Sequence, residues 1–132
     1  MDERIKPGLQ GRAAAAVTEA TTAAQWNSGS LKVFSTPHMI GLMECAAVDA
    51  VEALLEPGQV TVGSSVNIKH VSASPLGSNI WATAKLIEVD RRRLVFEVAA
   101  GDDWGEIGGG THERFIVESA RFMEKTHAKS SV

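Results

Sequence analysis

The sequence contains no tyrosine, a single cysteine and four prolines, and only 5% of its 132 residues are aromatic. The lone Cys45 cannot form an internal disulfide, which fits a reducing compartment. No apolar run approaches the roughly 18–20 residues that a membrane-spanning helix needs. The polar segment 1–6 also lacks the apolar stretch of a signal peptide. These absences predict a cytoplasmic protein without a membrane partner.

Neither sign of charge dominates the chain, whose formal net charge is −3. Nucleic-acid binders usually carry a basic stripe, so we expect no nucleic-acid partner. The hydrophobic share of 44% is typical of globular proteins, and the length suits a single domain over residues 1–132. The four histidines lack the spacing of metal ligands. We therefore expect neither a metal nor another cofactor.

The clearest predicted element is a helix over residues 37–55. Thr36 followed by Pro37 is typical of an N-cap and a first helical position. The Glu-Pro-Gly segment 56–58 ends the pattern. Cys45 is interpreted as a small buried residue of this helix rather than a nucleophile. An apolar stripe at helical spacing predicts its core-facing side: Met39, Met43, Ala46, Ala47, Ala50 and Leu54.

After the helix the apolar period changes to two, which is typical of strands. Segment 7–24 before the helix is predicted to be a strand that leads into a loop, and the polar tail from Lys125 is predicted to fray. The strands predicted after the helix are 60–70, 79–89, 93–100 and 104–118.

Short connections between these strands predict antiparallel pairing. One amphipathic helix lying on such a sheet is an α+β arrangement. The opposite sheet face still carries apolar side chains, including Ile87 and Val95. Because a single layer would leave them in water, we expect a homodimer.

Glu44 interrupts a mostly apolar side of the predicted helix, which it shares with Ile40, Val48, Val51 and Leu55. A carboxylate in that position is costly unless it is paired or protonated. This marks Glu44 as a candidate catalytic residue. The alternative is that Glu44 lies at the margin of the helix and reaches water.

His70 closes an apolar strand face that the alternation assigns to Val60, Val62, Val66 and Ile68. A histidine there is more often a satisfied core residue. If His70 and Glu44 face one layer, however, they form an acid–base pair.

Thr36 has a structural explanation as the N-cap of the helix. A helix N-terminus also presents free amides and a positive dipole end, which suit a carbonyl oxygen that gains negative charge. The glycines at 108–110 are not a phosphate loop, because no lysine or helix follows them, and they indicate a bulge or a close backbone approach. The arginines at 91–93 are interpreted as a solvated turn, with phosphate binding as a second hypothesis.

Three segments in matching order resemble the fluoroacetyl-CoA thioesterase family, a branch of the hotdog superfamily. They are Thr36-Pro-His-Met-Ile-Gly-Leu-Met-Glu44, Gly63-Ser-Ser-Val-Asn-Ile-Lys-His70 and Glu106-Ile-Gly-Gly-Gly-Thr-His-Glu-Arg114. The resemblance implies a hotdog fold, in which an antiparallel sheet of about five strands wraps around one long helix. It also implies hydrolysis of acyl-CoA thioesters, with Thr36, Glu44 and His70 as catalytic residues. Gly63 would line the acyl site, and Arg114 would lie on the coenzyme A side.

The chain departs from the fluoroacetate-specific members just before Thr36. Those members close the acyl pocket with phenylalanines, whereas residues 27–30 read Asn-Ser-Gly-Ser. Trp26 and Phe34 are the only aromatic residues nearby, and either could belong to the core. We therefore expect short or medium acyl-CoA esters as substrates, with only a modest preference for a fluorinated group.

Three further functions are compatible with the sequence. A hotdog hydratase or dehydratase is disfavoured by the Thr36 match and by the absence of an aspartate–histidine spacing of that type on a helix. The second is a non-catalytic acyl-CoA binding module, and the third is a structural dimer with a decayed site. Release of free coenzyme A from acyl-CoA esters would separate a hydrolase from all three.

Overall fold

The computed structural model describes residues 1–130, so residues 131–132 of the predicted tail lie outside the described part. Short 3₁₀ turns occur at Glu19–Thr21, Glu52–Leu54 and Ala128–Ser130. The longer elements are β1 (Gln10–Ala16), α1 (Thr36–Val51), β2 (Gln59–His70), β3 (Asn79–Asp90), β4 (Arg93–Asp102), β5 (Gly105–Glu118) and α2 (Ser119–His127). The predicted α+β class and the predicted strand before the helix are confirmed.

All five strands pair antiparallel in one sheet, in the order β1–β3–β4–β5–β2. Tight turns join β3, β4 and β5 into a meander, as expected from their short connections. The longer connection over residues 71–78 instead carries the chain across the sheet, so that β2 pairs with β5 and β3 pairs with β1. The expectation that β2 pairs with its successor in sequence is therefore wrong. Within residues 1–130, β1 and β2 form the two edges of the sheet.

Helix α1 packs against one face of this sheet. Half of its buried residues are alanine, so helix and sheet approach closely there. A Cβ atom at Gly11 of β1 would lie 2.1 Å from the Ala46 carbonyl oxygen, so only glycine fits there. The predicted apolar stripe is confirmed, with Leu54 partly buried at its end: the buried residues are Met39, Met43, Ala46, Ala47, Ala50 and Val51.

The α-helical part of this segment ends at Val51, earlier than the predicted Leu55. The chain tightens into a 3₁₀ turn over Glu52–Leu54 before it reaches Pro57. The residue before a proline avoids the helical conformation, and 3₁₀ turns commonly close helices.

Two further predictions about helical residues are wrong. Cys45 is exposed rather than buried, because it lies about 200° around the helix from the buried Met43. The tail from Lys125 continues α2 up to His127 instead of fraying at that point. Basic side chains in the last turn of this helix face its negative dipole end, which favours the helix.

The outer face of the sheet carries exposed apolar side chains, as predicted. Ile87 is 42% exposed, and Val60 and Phe115 are also exposed. Within residues 1–130, no helix is both long and apolar enough to cross a membrane.

Candidate active site

Helix α1 begins with Ser35, not Thr36, as its N-cap. The Ser35 hydroxyl is buried and accepts a hydrogen bond from the backbone N–H of His38 at 3.2 Å. Thr36 therefore occupies the first helical position, and its hydroxyl takes no part in capping. The predicted N-cap role of Thr36 is wrong, and this leaves its side chain available for the site.

The Thr36 hydroxyl lies 2.8 Å from Nδ1 of His70, the last residue of β2. In the sheet His70 pairs with Gly108 of β5. A Cβ atom at Gly108 would lie 2.5 Å from the Lys69 carbonyl oxygen and 2.9 Å from the Met39 sulfur. Glycine at this position thus lets β5 pass close to both β2 and α1. The pairing of β2 with β5 therefore places His70 beside the N-terminus of the helix. The close backbone approach predicted for this glycine segment is confirmed.

Burial lowers the pKa of the His70 ring below its ordinary value of 6.5, while the Ser72 backbone opposes this shift. The ring is therefore neutral at neutral pH. Its Nε2 atom is buried and has no hydrogen-bond partner among residues 1–130. Buried polar atoms normally have a partner, so this nitrogen is suited to one that the chain itself does not supply.

Thr36 and His70 lie on the wall of a cavity of about 530 Å³. Many of the other wall residues have small or polar side chains, and the segment 25–32 on one side is exposed. Phe34 is buried in the core, whereas Trp26 is 55% exposed and lies edge-on against the His38 ring. The remaining wall residues are Ala23, Ser28, Gly29, Ser30, Leu31, Val33, Val71, Ser72 and Ala73.

Glu44 forms an ion pair with Arg114 of β5. Its Oε2 atom accepts a hydrogen bond from Arg114 Nη1 at 3.2 Å. The arginine side chain is only 7% exposed, whereas the glutamate side chain is 41% exposed. Each interpretation of Glu44 from the sequence therefore holds in part, because the carboxylate is paired with a buried charge and also reaches the surface.

A β-bulge between Gly63 and Ser65 changes which residues of β2 face the helix. Val60 and Val62 pair with outward residues of β5, whereas Val66, Ile68 and His70 pair with inward ones. The predicted single face containing all five residues is therefore wrong, because the bulge inserts one residue into the alternation.

Gly63 lies where Glu44 and Arg114 meet. A Cβ atom at this position would lie 2.9 Å from Glu44 Oε2 and 3.3 Å from Arg114 Nη1. Glycine therefore leaves the space in which the carboxylate and the guanidinium come together.

His112 is a component of this cluster that was not predicted from the sequence. It is 2% exposed, with Nδ1 at 2.8 Å from the Ser65 carbonyl oxygen and Nε2 at 3.1 Å from Arg114 Nη1. The strand alternation in β5 places His112 and Arg114 on one face, which was the available signal.

The predicted site residues thus form two groups in one chain. Thr36 contacts His70, and Glu44 contacts Arg114 beside Gly63. Eight helical steps from Thr36 to Glu44 correspond to about 12 Å along the helix axis. No hydrogen bond within residues 1–130 joins His70 to Glu44. In the same part of the chain, no group of three or more histidine, cysteine, aspartate or glutamate residues could hold a metal ion.

Comparisons with known proteins place the chain in a family. The sequence profile of the fluoroacetyl-CoA-specific thioesterases matches residues 17–120, which include both groups. The fluoroacetyl-CoA thioesterase of Streptantibioticus cattleyicolor is 41% identical over 99 residues, which make up 75% of this chain and 71% of that protein.

Solved structures agree with this match. A variant of the fluoroacetyl-CoA-specific thioesterase in complex with fluoroacetate and CoA superposes with a TM-score of 0.84 at 34% identity, over 89% of this chain and 99% of that one. A Thermus thermophilus protein of the thioesterase superfamily gives a TM-score of 0.89 at 24% identity, over 96% and 94% of the two chains, and supports the fold alone. The fold is the hotdog fold, and the chain belongs to the fluoroacetyl-CoA-specific thioesterase family.

Proposed function

We propose that the protein hydrolyses short or medium acyl-CoA thioesters to the free acid and coenzyme A, in the cytoplasm. The observation that carries this proposal is the Thr36–His70 pair, whose outer nitrogen Nε2 is buried without a partner among the described residues. The pair lines a cavity large enough for an acyl group, and a positive helix end lies beside it. Family membership supports the same chemistry.

The histidine supplies a hydrogen-bond donor in this mechanism. When the Thr36 hydroxyl donates to Nδ1, the neutral ring carries its hydrogen on Nε2. That N–H can donate to the thioester carbonyl oxygen as negative charge develops there. The neutral ring keeps this hydrogen, because a neutral imidazole is a weaker acid than a thiol, and the departing thiolate takes its proton from water.

Glu44 supplies the attack on the thioester carbonyl carbon. Its carboxylate either adds to this carbon directly, forming an anhydride that water then hydrolyses, or takes a proton from a water molecule that adds instead. In both routes the carbon–sulfur bond breaks and coenzyme A leaves as a thiolate. Neither route needs a metal ion.

Both roles can act on one substrate if the site is shared in a homodimer. Glu44 lies eight helical steps from Thr36, so the two groups of one chain are separated along α1. Strand β2 is a sheet edge, and edge strands pair readily with a second copy. Antiparallel pairing of two β2 edges, centred between Val66 and Asn67, would bring the partner subunit's His70 opposite Gly63 of this chain. The exposed apolar outer face supports association as well.

Mixing two inactive variants tests this shared site. A heterodimer of Glu44→Gln and His70→Ala chains would contain one site with both defects and one intact site. Mixed and reassociated chains should therefore recover up to about a quarter of the wild-type activity per chain. Recovery of none, or sedimentation of the wild type as a stable monomer at micromolar concentration, would exclude the shared site.

The acyl-CoA specificity is proposed to be broad because the cavity wall is built from small and exposed residues. A panel of acyl-CoA esters with a thiol reagent tests hydrolysis directly through released coenzyme A. Tight binding without release would indicate a binding module. Hydration of an enoyl-CoA ester without thiol release would indicate a hydratase.

A further inference from the structure

The Arg114 guanidinium is held from several sides, and only one of its contacts is with Glu44. Arg114 Nε donates to Thr61 Oγ1 at 2.9 Å, and Nη2 donates to the Thr61 carbonyl oxygen at 2.9 Å. Nη1 makes the remaining contacts, with Glu44 Oε2 at 3.2 Å and with His112 Nε2 at 3.1 Å. A buried guanidinium is costly unless its N–H groups find acceptors, and these contacts supply them.

These contacts fix the tautomer of His112. Arginine in proteins is always a donor, so His112 Nε2 accepts from Arg114 and carries no hydrogen. The hydrogen of the neutral ring is therefore on Nδ1, which donates to the Ser65 carbonyl oxygen at 2.8 Å. That carbonyl lies next to the β-bulge, and the Phe96 ring lies beside the imidazole at a centroid distance of 6.5 Å. His112 thus connects the backbone at the bulge to the guanidinium through two hydrogen bonds.

The same contacts limit how Arg114 binds Glu44. Arginine and carboxylate groups often pair through two parallel hydrogen bonds. Here Thr61 accepts from Nε and from one hydrogen of Nη2, and His112 accepts from one hydrogen of Nη1. The other hydrogen of Nη1 goes to Glu44 Oε2, and Oε1 has no hydrogen bond within residues 1–130.

We propose that His112 is a positioning residue for the reaction, which acts through Arg114 to hold Glu44 by a single oxygen. The inference rests on the proposed thioesterase function, because it assigns Glu44 the attack on the thioester. Without the acceptor at His112 Nε2, the guanidinium can turn and engage both carboxylate oxygens. The attacking oxygen is then occupied, although Glu44 and the substrate cavity are intact.

A matched pair of variants separates this role from simple packing. In His112→Gln, the amide oxygen can reach the position of Nε2 and accept from Arg114. In His112→Asn, the shorter amide reaches only the position of Nδ1, so the Ser65 contact persists and the Arg114 contact is lost. Wild-type release of coenzyme A from an acyl-CoA ester is measured first, because its absence would refute the proposed function rather than this inference.

We expect His112→Asn to lower kcat by roughly 10²-fold, the size of effect that a misplacement of about 1 Å can produce. KM should change little, since His112 does not contact the cavity, and His112→Gln should restore most of kcat. Equal decreases of kcat in the two variants, or an effect mainly on KM, would overturn the proposal. Thermal unfolding of both variants checks their folding.

A double-variant cycle tests the route through Arg114. In an Arg114→Met background, His112→Asn should have almost no further effect on kcat, because no guanidinium remains to be oriented. The same loss in both backgrounds would overturn the proposal. If the His112 variants do not fold, Thr61→Val and Thr61→Ser provide the equivalent comparison, since only serine keeps an acceptor for Arg114 Nε. Equal activity of those two variants would also overturn it.

Discussion

The two groups of site residues differ in how firmly the protein holds them. The Glu44–Arg114 cluster lies between α1 and the sheet, where the buried His112 of β5 and the half-buried Thr61 of β2 fix the guanidinium. The Thr36–His70 pair lies on a cavity whose wall includes residues 28–31 of the exposed segment 25–32. Buried, hydrogen-bonded positions tolerate little movement, whereas exposed loops with few apolar contacts open easily. The comparison teaches that this chain fixes Arg114, the partner of Glu44, more tightly than the wall of the cavity beside His70.

The largest expected effect is that of Glu44→Gln. The amide keeps the size of the carboxylate and can still accept from Arg114, so the fold should persist. Neither direct attack nor proton abstraction is possible for the amide, and kcat should fall by about 10²–10⁴-fold. Coenzyme A release measures the rate, and circular dichroism checks the fold. Near-normal turnover would remove Glu44 from the mechanism.

A smaller loss is expected at Thr36, because its hydroxyl acts on the substrate only through His70. Thr36→Ala removes the hydrogen bond to Nδ1, and a lost bond of about 1.4 kcal/mol corresponds to roughly a tenfold lower kcat. Thr36→Ser keeps a hydroxyl and should stay within about threefold of the wild type. The Ser35 cap is intact in both variants, so their thermal unfolding should be nearly the same. Equal activities of the alanine and serine variants would exclude a role for the hydroxyl.

The stability of the protein should fall as the pH is lowered through 6.5, in part because of His70. Burial lowers the pKa of its ring in the folded state, so the unfolded chain takes up the proton first. The contribution of His70 is therefore fully favourable above its ordinary pKa and is lost as the pH falls towards the lowered value. Denaturant unfolding at several pH values measures this dependence. His70→Gln should reduce the slope in this window, and an unchanged slope would contradict the assignment.

The sequence predicted the parts of the molecule that depend on local patterns. Period-two alternation located β3, β4 and β5, and the apolar stripe located the buried side of α1. The pairing of β2 with β5 joins segments that are distant in the sequence, so no local sequence pattern indicates it. The bulge at Gly63 lies among small residues, where alternation carries no signal, so the predicted face of β2 was wrong.

The candidate site, like the fold, was predictable from the sequence only in part. The resemblance supplied Thr36, Glu44, His70, Gly63 and Arg114, and the structure places them in two groups rather than one. Ser35 and Thr36 are both good capping residues, and only the backbone conformation distinguishes them. Alternation in β5 places His112 and Arg114 on the same face, so their contact could be expected from the sequence. The hydrogen bond from His112 to the Ser65 carbonyl oxygen depends on the bulge, which the sequence did not predict.

The smallest expected effect concerns the choice between fluoroacetyl-CoA and acetyl-CoA. Strong selection for one small substituent requires a site that closes tightly and excludes water. The wall residues Ser28, Gly29 and Ser30 provide little apolar bulk, and Gly29 has a φ of 150°, which other residues rarely adopt. We therefore expect only a modest preference in kcat/KM for the fluorinated ester. A preference above about 10⁴-fold, more than a plain apolar pocket supplies, would contradict this interpretation.

A matched pair of substitutions sharpens that last measurement. Ser30→Phe adds apolar bulk to the cavity wall and should narrow the range of acyl groups that are hydrolysed, by slowing the longer esters most. Lys32→Phe adds the same side chain at an exposed position that does not line the cavity, so it should leave the range unchanged. The kcat/KM values for acetyl, butyryl and hexanoyl esters of coenzyme A compare the two variants with the wild type. If both variants change the kcat/KM values in the same way, the segment before Thr36 does not form the wall of the acyl site. The difference in rigidity between the Glu44–Arg114 cluster and the Thr36–His70 pair would then have no effect on specificity.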